Sequence, residues 1–289
     1  MEREHLSDIL LLCVSVIWGV NLVAVKYLLG DLSPVNLILV RFITGSLLLF
    51  LLLFFLEDVK VPSRDMWRLT LLGAVGVAFY QFFFTFALKY TSAVNVGILI
   101  NMSPIYGGFL SSLFGYERFV KKRIFAIITG FAGVYILMTK GDWNVLARGD
   151  VAGNVLALFA SLLWALYTIL SKPLLERHSP LKVTAWSMTA GSVLLGFLVP
   201  SFFDAAELGR LSMTGWTVIV LSIIFSTVVA FFLWYRGVAR IGASRTMIYQ
   251  YCVPVFAALA AYFILDETLH FSQLIGGTII FVSVYLARR

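Results

Sequence analysis

The chain has 289 residues, 61% hydrophobic and only 13% charged, about half the charged share of an ordinary soluble domain. Its net charge of +7 comes from basic residues scattered over short loops rather than from one continuous patch. That pattern excludes nucleic acid as the expected partner and points to a lipid bilayer. Two cysteines, Cys13 and Cys252, each lie within an apolar run, so neither a disulfide framework nor a metal-ligand spacing is present and no cofactor is expected.

A helix needs roughly 20 apolar residues to cross the hydrocarbon core. Cutting the chain at charges, prolines and polar clusters predicts ten spans, at 7–29, 34–56, 66–89, 93–115, 122–139, 150–171, 180–200, 214–235, 244–265 and 271–287. The first run extends from Ile9 to Leu29, longer than a signal-peptide core, and is expected to stay as a span. Its polar interruptions, near Glu57–Arg64, Lys140–Asp150 and Phe203–Thr214, are too short for a soluble catalytic domain. Sixteen Lys and Arg fall on one side: Arg3; Lys60, Arg64 and Arg68; Arg118, Lys121, Lys122 and Arg123; Lys172, Arg177 and Lys182; Arg236, Arg240 and Arg245; Arg288 and Arg289. Six (Lys26, Arg41, Lys89, Lys140, Arg148 and Arg210) fall on the other. Basic loops resist translocation, so both termini are expected in the cytoplasm, which an even number of spans satisfies.

The chain also repeats itself. At an offset of 146, Ser15, Trp18 and Lys26 fall on Ser161, Trp164 and Lys172, and Ser33-Pro34 falls on Ser179-Pro180. At an offset of 150, Ala93, Ile98, Pro104 and Glu117 fall on Ala243, Ile248, Pro254 and Glu267. The ungapped order of rare residues indicates duplication, with repeats over 1–141 and 142–289. Five spans per repeat is odd, so the second copy enters from the opposite side. The expected fold is all-α integral membrane, ten helices as two inverted five-helix repeats, an arrangement suited to alternating access around a central site.

In chain order, the following residues stand out as a lining for such a site. Trp18 and Trp164 sit near the middle of spans one and six, away from the interfaces where tryptophan usually anchors, with Asn21 and Tyr167 a helical turn away. Arg41 lies inside span two, where it could attract a carboxylate. Tyr80 and Gln81 in span three, Asn101 in span four, and Tyr249 and Gln250 in span nine add polar groups that are costly in lipid and expected to face the bundle interior. Pro104 and Pro254 fall at matching depth in spans four and nine and are candidate gating kinks. Gly73, Gly76, Gly130 and Gly133 are explained by close helix packing. No acidic residue or histidine lies near a span centre, and no P-loop motif occurs, so proton relays and direct ATP hydrolysis are not expected.

Ser15-x-x-Trp18-Gly19, Lys26, Ser33-Pro34, Arg41-Phe42, Pro104 and Gly115-Tyr116-Glu117 in the first half resemble the drug/metabolite transporter superfamily, and within it the ten-span proteins with paired EamA-type domains. Ser161-x-x-Trp164, Ser179-Pro180, Pro254 and Asp266-Glu267 repeat the resemblance. It departs at Ala165, opposite Gly19, and at Ser187, opposite Arg41. The resemblance implies a multi-pass carrier of a bacterial or archaeal cytoplasmic membrane, often an exporter of amino acids or other small metabolites, without enzymatic activity. A homodimer is compatible with it. A lipid or lipid-linked sugar flippase is the alternative, served by the cluster Arg118, Lys121, Lys122 and Arg123. An embedded enzyme would need an acid/base pair, and Glu117 and Glu267 fall on opposite faces.

Overall fold

The computed structural model describes residues 2–118, 120–199 and 203–288, with side chains over 5–118, 120–199 and 203–287. Arg289, the side chains of Arg3 and Arg288, and Pro200 at the expected end of span seven lie outside the described residues. Among the described residues, nine helices are long and apolar enough to cross a membrane: His5–Leu28, Pro34–Leu56, Ser63–Tyr90, Ala93–Leu113, Lys121–Thr139, Val151–Leu175, Pro180–Leu198, Met213–Ile241 and Ala243–Leu265. A tenth, shorter apolar helix runs over Phe271–Arg288. These are spans one to ten.

The helix starts follow local chemistry. Ser33 and Ser179 each accept a hydrogen bond from the backbone N–H three residues on, and Pro34 and Pro180 occupy the first turn, where a missing N–H costs nothing. Ser92, Asp150 and Ser212 cap spans four, six and eight in the same way. Lys140 and Asp266 adopt left-handed conformations that end spans five and nine.

Packing repeats under exchange of the halves. Span one lies against spans eight and nine; span six lies against spans three and four. Span two packs on span seven and span five along span ten, each element meeting its own counterpart. The glycines serve packing as expected. A Cβ on Gly73 would lie 2.0 Å from the Ser187 carbonyl, and one on Gly133 2.9 Å from the Gly276 carbonyl.

Polar contacts between loops agree with the predicted sidedness. Lys26 binds Glu267 at 2.9 Å, and the Asn36 amide donates to Glu207 at 2.6 Å; all four belong to the outer side. Asp65 receives Arg177 at 2.8 Å and His178 at 3.0 Å, and Ser179 donates to Glu57; these belong to the cytoplasmic side.

Candidate substrate site

Four spans interrupt their hydrogen-bond ladders, and the interruptions converge near mid-depth. Span four stops at Ile100, turns through Asn101 and Met102, and restarts at Ser103 with Pro104 in its first turn. The Ile100 carbonyl is instead reached by Ser161 Oγ at 3.1 Å and, more loosely, by the Gln250 amide at 3.5 Å. Span nine tightens to a 3₁₀ turn over Tyr249–Tyr251 ahead of Pro254, and the Tyr249 carbonyl accepts from Ser15 Oγ at 2.8 Å. Ser15 and Ser161 are repeat equivalents. Each member of this equivalent pair thus donates to a carbonyl at the other half's break.

Spans three and eight carry π-helical segments, Ala74–Phe79 and Ser222–Val229. They begin at 74 and 222, an offset of 148 that falls between the two repeat blocks. In span eight the Ala230 N–H reaches back five residues to Phe225. The Ser226 carbonyl accepts Trp18 Nε1 at 3.1 Å. The same bulge presents Ser226 Oγ and Thr227 Oγ1 to the Arg41 guanidinium at 3.2 and 3.4 Å, and Ser222 donates to Asn21 at 2.5 Å. Such bulges recur at functional sites because they re-aim side chains without ending the helix.

Around this point lies an aromatic cluster. The Trp18 and Trp164 ring centroids are 5.6 Å apart, and both contact Phe231 and Trp234. Tyr80 packs on Trp164 at 5.3 Å and Tyr167 on Tyr235 at 5.1 Å. Gly76 makes room for Tyr167: a Cβ there would lie 1.9 Å from the ring. The indoles find partners, as buried N–H groups must. Trp164 donates to Gln250 Oε1 at 2.9 Å, and Trp234 to Thr168 at 3.2 Å.

Of the residues singled out in the sequence, Trp18, Asn21, Arg41, Tyr80, Trp164, Tyr167 and Gln250 gather here. Three do not join them. The Tyr249 hydroxyl turns away to Asp8, and Asn101 folds back onto its own Gly97 carbonyl at 2.7 Å. Gln81 is buried but makes no hydrogen bond to the cluster among the described residues. Pro104 and Pro254 occupy the first turns of restarted helical segments rather than kinks within continuous helices. Sequence reading missed Ser226, Thr227, Phe231, Trp234 and Tyr235. In the structure spans three and eight run 28 and 29 residues, longer than the apolar runs 66–89 and 214–235 that mark them in the sequence, and the bulges that re-aim these side chains leave no signal there.

Toward the cytoplasmic side two seams are joined, one between the halves (spans four and nine) and one within the second half (spans six and eight). Spans four and nine meet through Ser103–Gln250 at 2.9 Å and Ser111–Ser244 at 3.0 Å, and Glu117 accepts the Ser244 N–H at 3.2 Å. Spans six and eight meet through Thr168–Trp234 and Tyr167–Tyr235. Toward the outer side, Trp18, Asn21 and Tyr80 are only half-buried. A cleft of about 490 Å³ opens at the cytoplasmic end. It is lined by acids as well as bases, Glu117 and Glu176 beside Arg118, Arg123, Lys172 and Arg240. Among the described residues, no three His, Cys, Asp or Glu side chains gather as a metal site.

Comparison with known proteins agrees with this architecture. The EamA-like transporter family matches residues 5–139 and 151–289. An uncharacterized transporter of Archaeoglobus fulgidus is 30% identical, covering 97% of this chain and 96% of the relative. The uncharacterized transporter YyaM of Bacillus subtilis is 27% identical over 98% and 94%. A protein of Streptantibioticus cattleyicolor named a probable terminal-alkyne amino-acid exporter is 26% identical over 95% and 90%. A solved crystal structure superimposes with a TM-score of 0.81 at 18% identity, covering 97% of this chain and 96% of the other, and so shares the fold. With apolar helices enough for a multi-pass cell-membrane protein, and the family matched in both halves, the chain belongs to the EamA-like transporters of the drug/metabolite transporter superfamily.

Proposed function

We propose that this transporter moves small metabolites, amino acids or related compounds first among them, out of the cytoplasm by alternating access without ATP hydrolysis. The two halves, 1–141 and 142–289, act as the inverted units whose rearrangement opens the site to each side in turn. The observation that carries this reading is the one-sided closure of duplicated seams. Spans four and nine, and six and eight, are hydrogen-bonded toward the cytoplasmic side of the cluster, while Trp18, Asn21 and Tyr80 toward the outer side are only half-buried. The repeat supplies equivalent elements for the opposite closure. Trp18, Asn21, Arg41, Tyr80, Trp164, Tyr167 and Gln250 form the proposed binding surface. The breaks at Pro104 and Pro254 are the proposed gating points. A lipid flippase is less well supported, because the cytoplasmic cleft mixes acids with bases rather than offering a basic head-group pocket.

The test is counterflow in proteoliposomes preloaded with mixed unlabelled amino acids, following labelled amino acids outside, with and without an imposed pH gradient. Gradient-independent accumulation that disappears in Trp18→Ala is expected. Intact transport in that variant would remove Trp18 from the site, and no uptake of any amino acid would move the substrate to another class.

A further inference from the structure

Arg41 is 9% exposed in the membrane-spanning part of the protein, yet it has no acidic partner among the described residues. None of the ion pairs among the described residues includes it. Its guanidinium donates to two hydroxyls, Ser226 and Thr227, at 3.2 and 3.4 Å, lies 5.9 Å from the Phe42 ring centroid, and its Nε has no hydrogen-bond partner among the described residues. Guanidinium stays charged in proteins, and its fork matches a carboxylate bidentately. A buried, unpaired cation is costly, whereas a paired one with its donors satisfied is far less so. Trp18, bonded to the same Ser226, and Tyr80, within electrostatic range of Arg41, border the group with aromatic surface.

Resting on the transport reading above, we propose that Arg41 binds the carboxylate of the transported molecule, and that its charge makes the carrier an exchanger of small carboxylates. With substrate bound, the outer seam closes over a neutral pair. Once the carboxylate leaves, closing over the site must strand a cation whose remaining donors face hydroxyls and aromatic rings. Return of the empty carrier is therefore slow, and return with a second carboxylate is fast. Ser187 stands at the equivalent place in the other repeat and bonds its own helix, at the Val183 carbonyl, so a single charge serves both states.

Three probes of similar shape separate the charges: leucine, leucinamide and 4-methylpentanoate. Binding to the detergent-purified protein is followed by tryptophan fluorescence, and labelled leucine entry into proteoliposomes is measured with and without leucine inside. Leucine and 4-methylpentanoate bind about tenfold or more tighter than leucinamide, the scale of a charge-assisted hydrogen bond. Preloading speeds entry about as much, if closing empty strands an unpaired charge. Arg41→Gln removes both differences and Arg41→Lys keeps the preference for the acid. Equal binding of leucinamide, an acid preference surviving in Arg41→Gln, or empty vesicles filling as fast as preloaded ones overturns the proposal. The wild-type acid-to-amide ratio decides even where a variant fails to fold. Acid-selective binding without any uptake would instead sink the transport reading and leave the carboxylate site standing.

Discussion

The cytoplasmic half of the central site and its outer half are built from duplicated elements, yet they differ in packing and charge. On the cytoplasmic side, Trp164, Tyr167, Trp234 and Tyr235 are buried, and hydroxyl and amide pairs stitch the seams. On the outer side, Trp18, Asn21 and Tyr80 are half-buried around Arg41. The repeat position opposite Arg41 is Ser187, which bonds within its own helix. Duplication supplied a shared skeleton, and one departure from the repeat confined the fixed charge to one half.

The comparison can be broken most severely at the cytoplasmic half. Gly76→Leu places a Cβ where the Tyr167 ring stands, at 1.9 Å, so a loss exceeding about 3 kcal/mol is expected, since overpacking of a close helix contact has no room to relax. Thermal unfolding in detergent measures it, and an unchanged melting curve would mean that Tyr167 does not fill this gap. Trp164→Ala should cost about 3–5 kcal/mol, the range for emptying a buried aromatic site. It should also make the buried Cys252 reactive toward an aqueous thiol reagent. Continued protection of Cys252 would show that the seam closes without the indole.

Two repeat-equivalent carboxylates sharpen the contrast at lower cost. Glu117 is 11% exposed, pairs with Arg123 at 2.7 Å and accepts the Ser244 N–H. Gly242, whose φ of +87° suits glycine, lets the carboxylate approach. Glu117→Gln should lower stability by about 1–3 kcal/mol, as for partners of a largely buried charged group. Glu267 pairs with Lys26 at 2.9 Å but is 41% exposed, and Glu267→Gln should cost only about 0.2–1 kcal/mol. The Lys26 hydrogen bond holds the Glu267 carboxyl below its ordinary value of 4.5. Its stabilisation is therefore complete above that value and lost as pH falls through the lower folded-state value. Melting curves of wild type and Glu267→Gln should converge below that point; a difference persisting into strong acid would sink the assignment. The smallest effect is expected at Gly196, where an added Cβ meets nothing within 4 Å. Gly196→Ala should stabilise span seven by about 0.5–1 kcal/mol through helix propensity, and a lowered melting temperature would mean that this face is packed.

At particular residues the sequence signal is chemical and local. Trp18 and Trp164 were conspicuous because mid-membrane indoles need acceptors, and both have them, the Ser226 carbonyl and Gln250. Arg41 was conspicuous as a charge within an apolar run. Asn101 and Tyr249 looked equivalent by the same criterion. Asn101, however, donates its amide one turn back along its own chain, leaving its Oδ1 without a partner among the described residues, and Tyr249 finds Asp8, 241 positions away in sequence. Composition does not distinguish an amide that faces a ligand site from one that faces its own helix.

By itself, then, the sequence determined the ten spans, their sidedness, the duplication and the aromatic and proline positions, because hydropathy, capping and charge bias act over one or two helical turns. Only the tertiary structure decided which seams are hydrogen-bonded, where spans three and eight bulge, and that Arg41 meets hydroxyls rather than a carboxylate. In a bilayer, helix faces are not sorted by a drive to leave water. Close contacts at small residues and hydrogen bonds to partners distant in sequence, 61 positions for Ser161 and 234 for Ser15, set each helix's rotation, and those partners are chosen only when the whole bundle assembles.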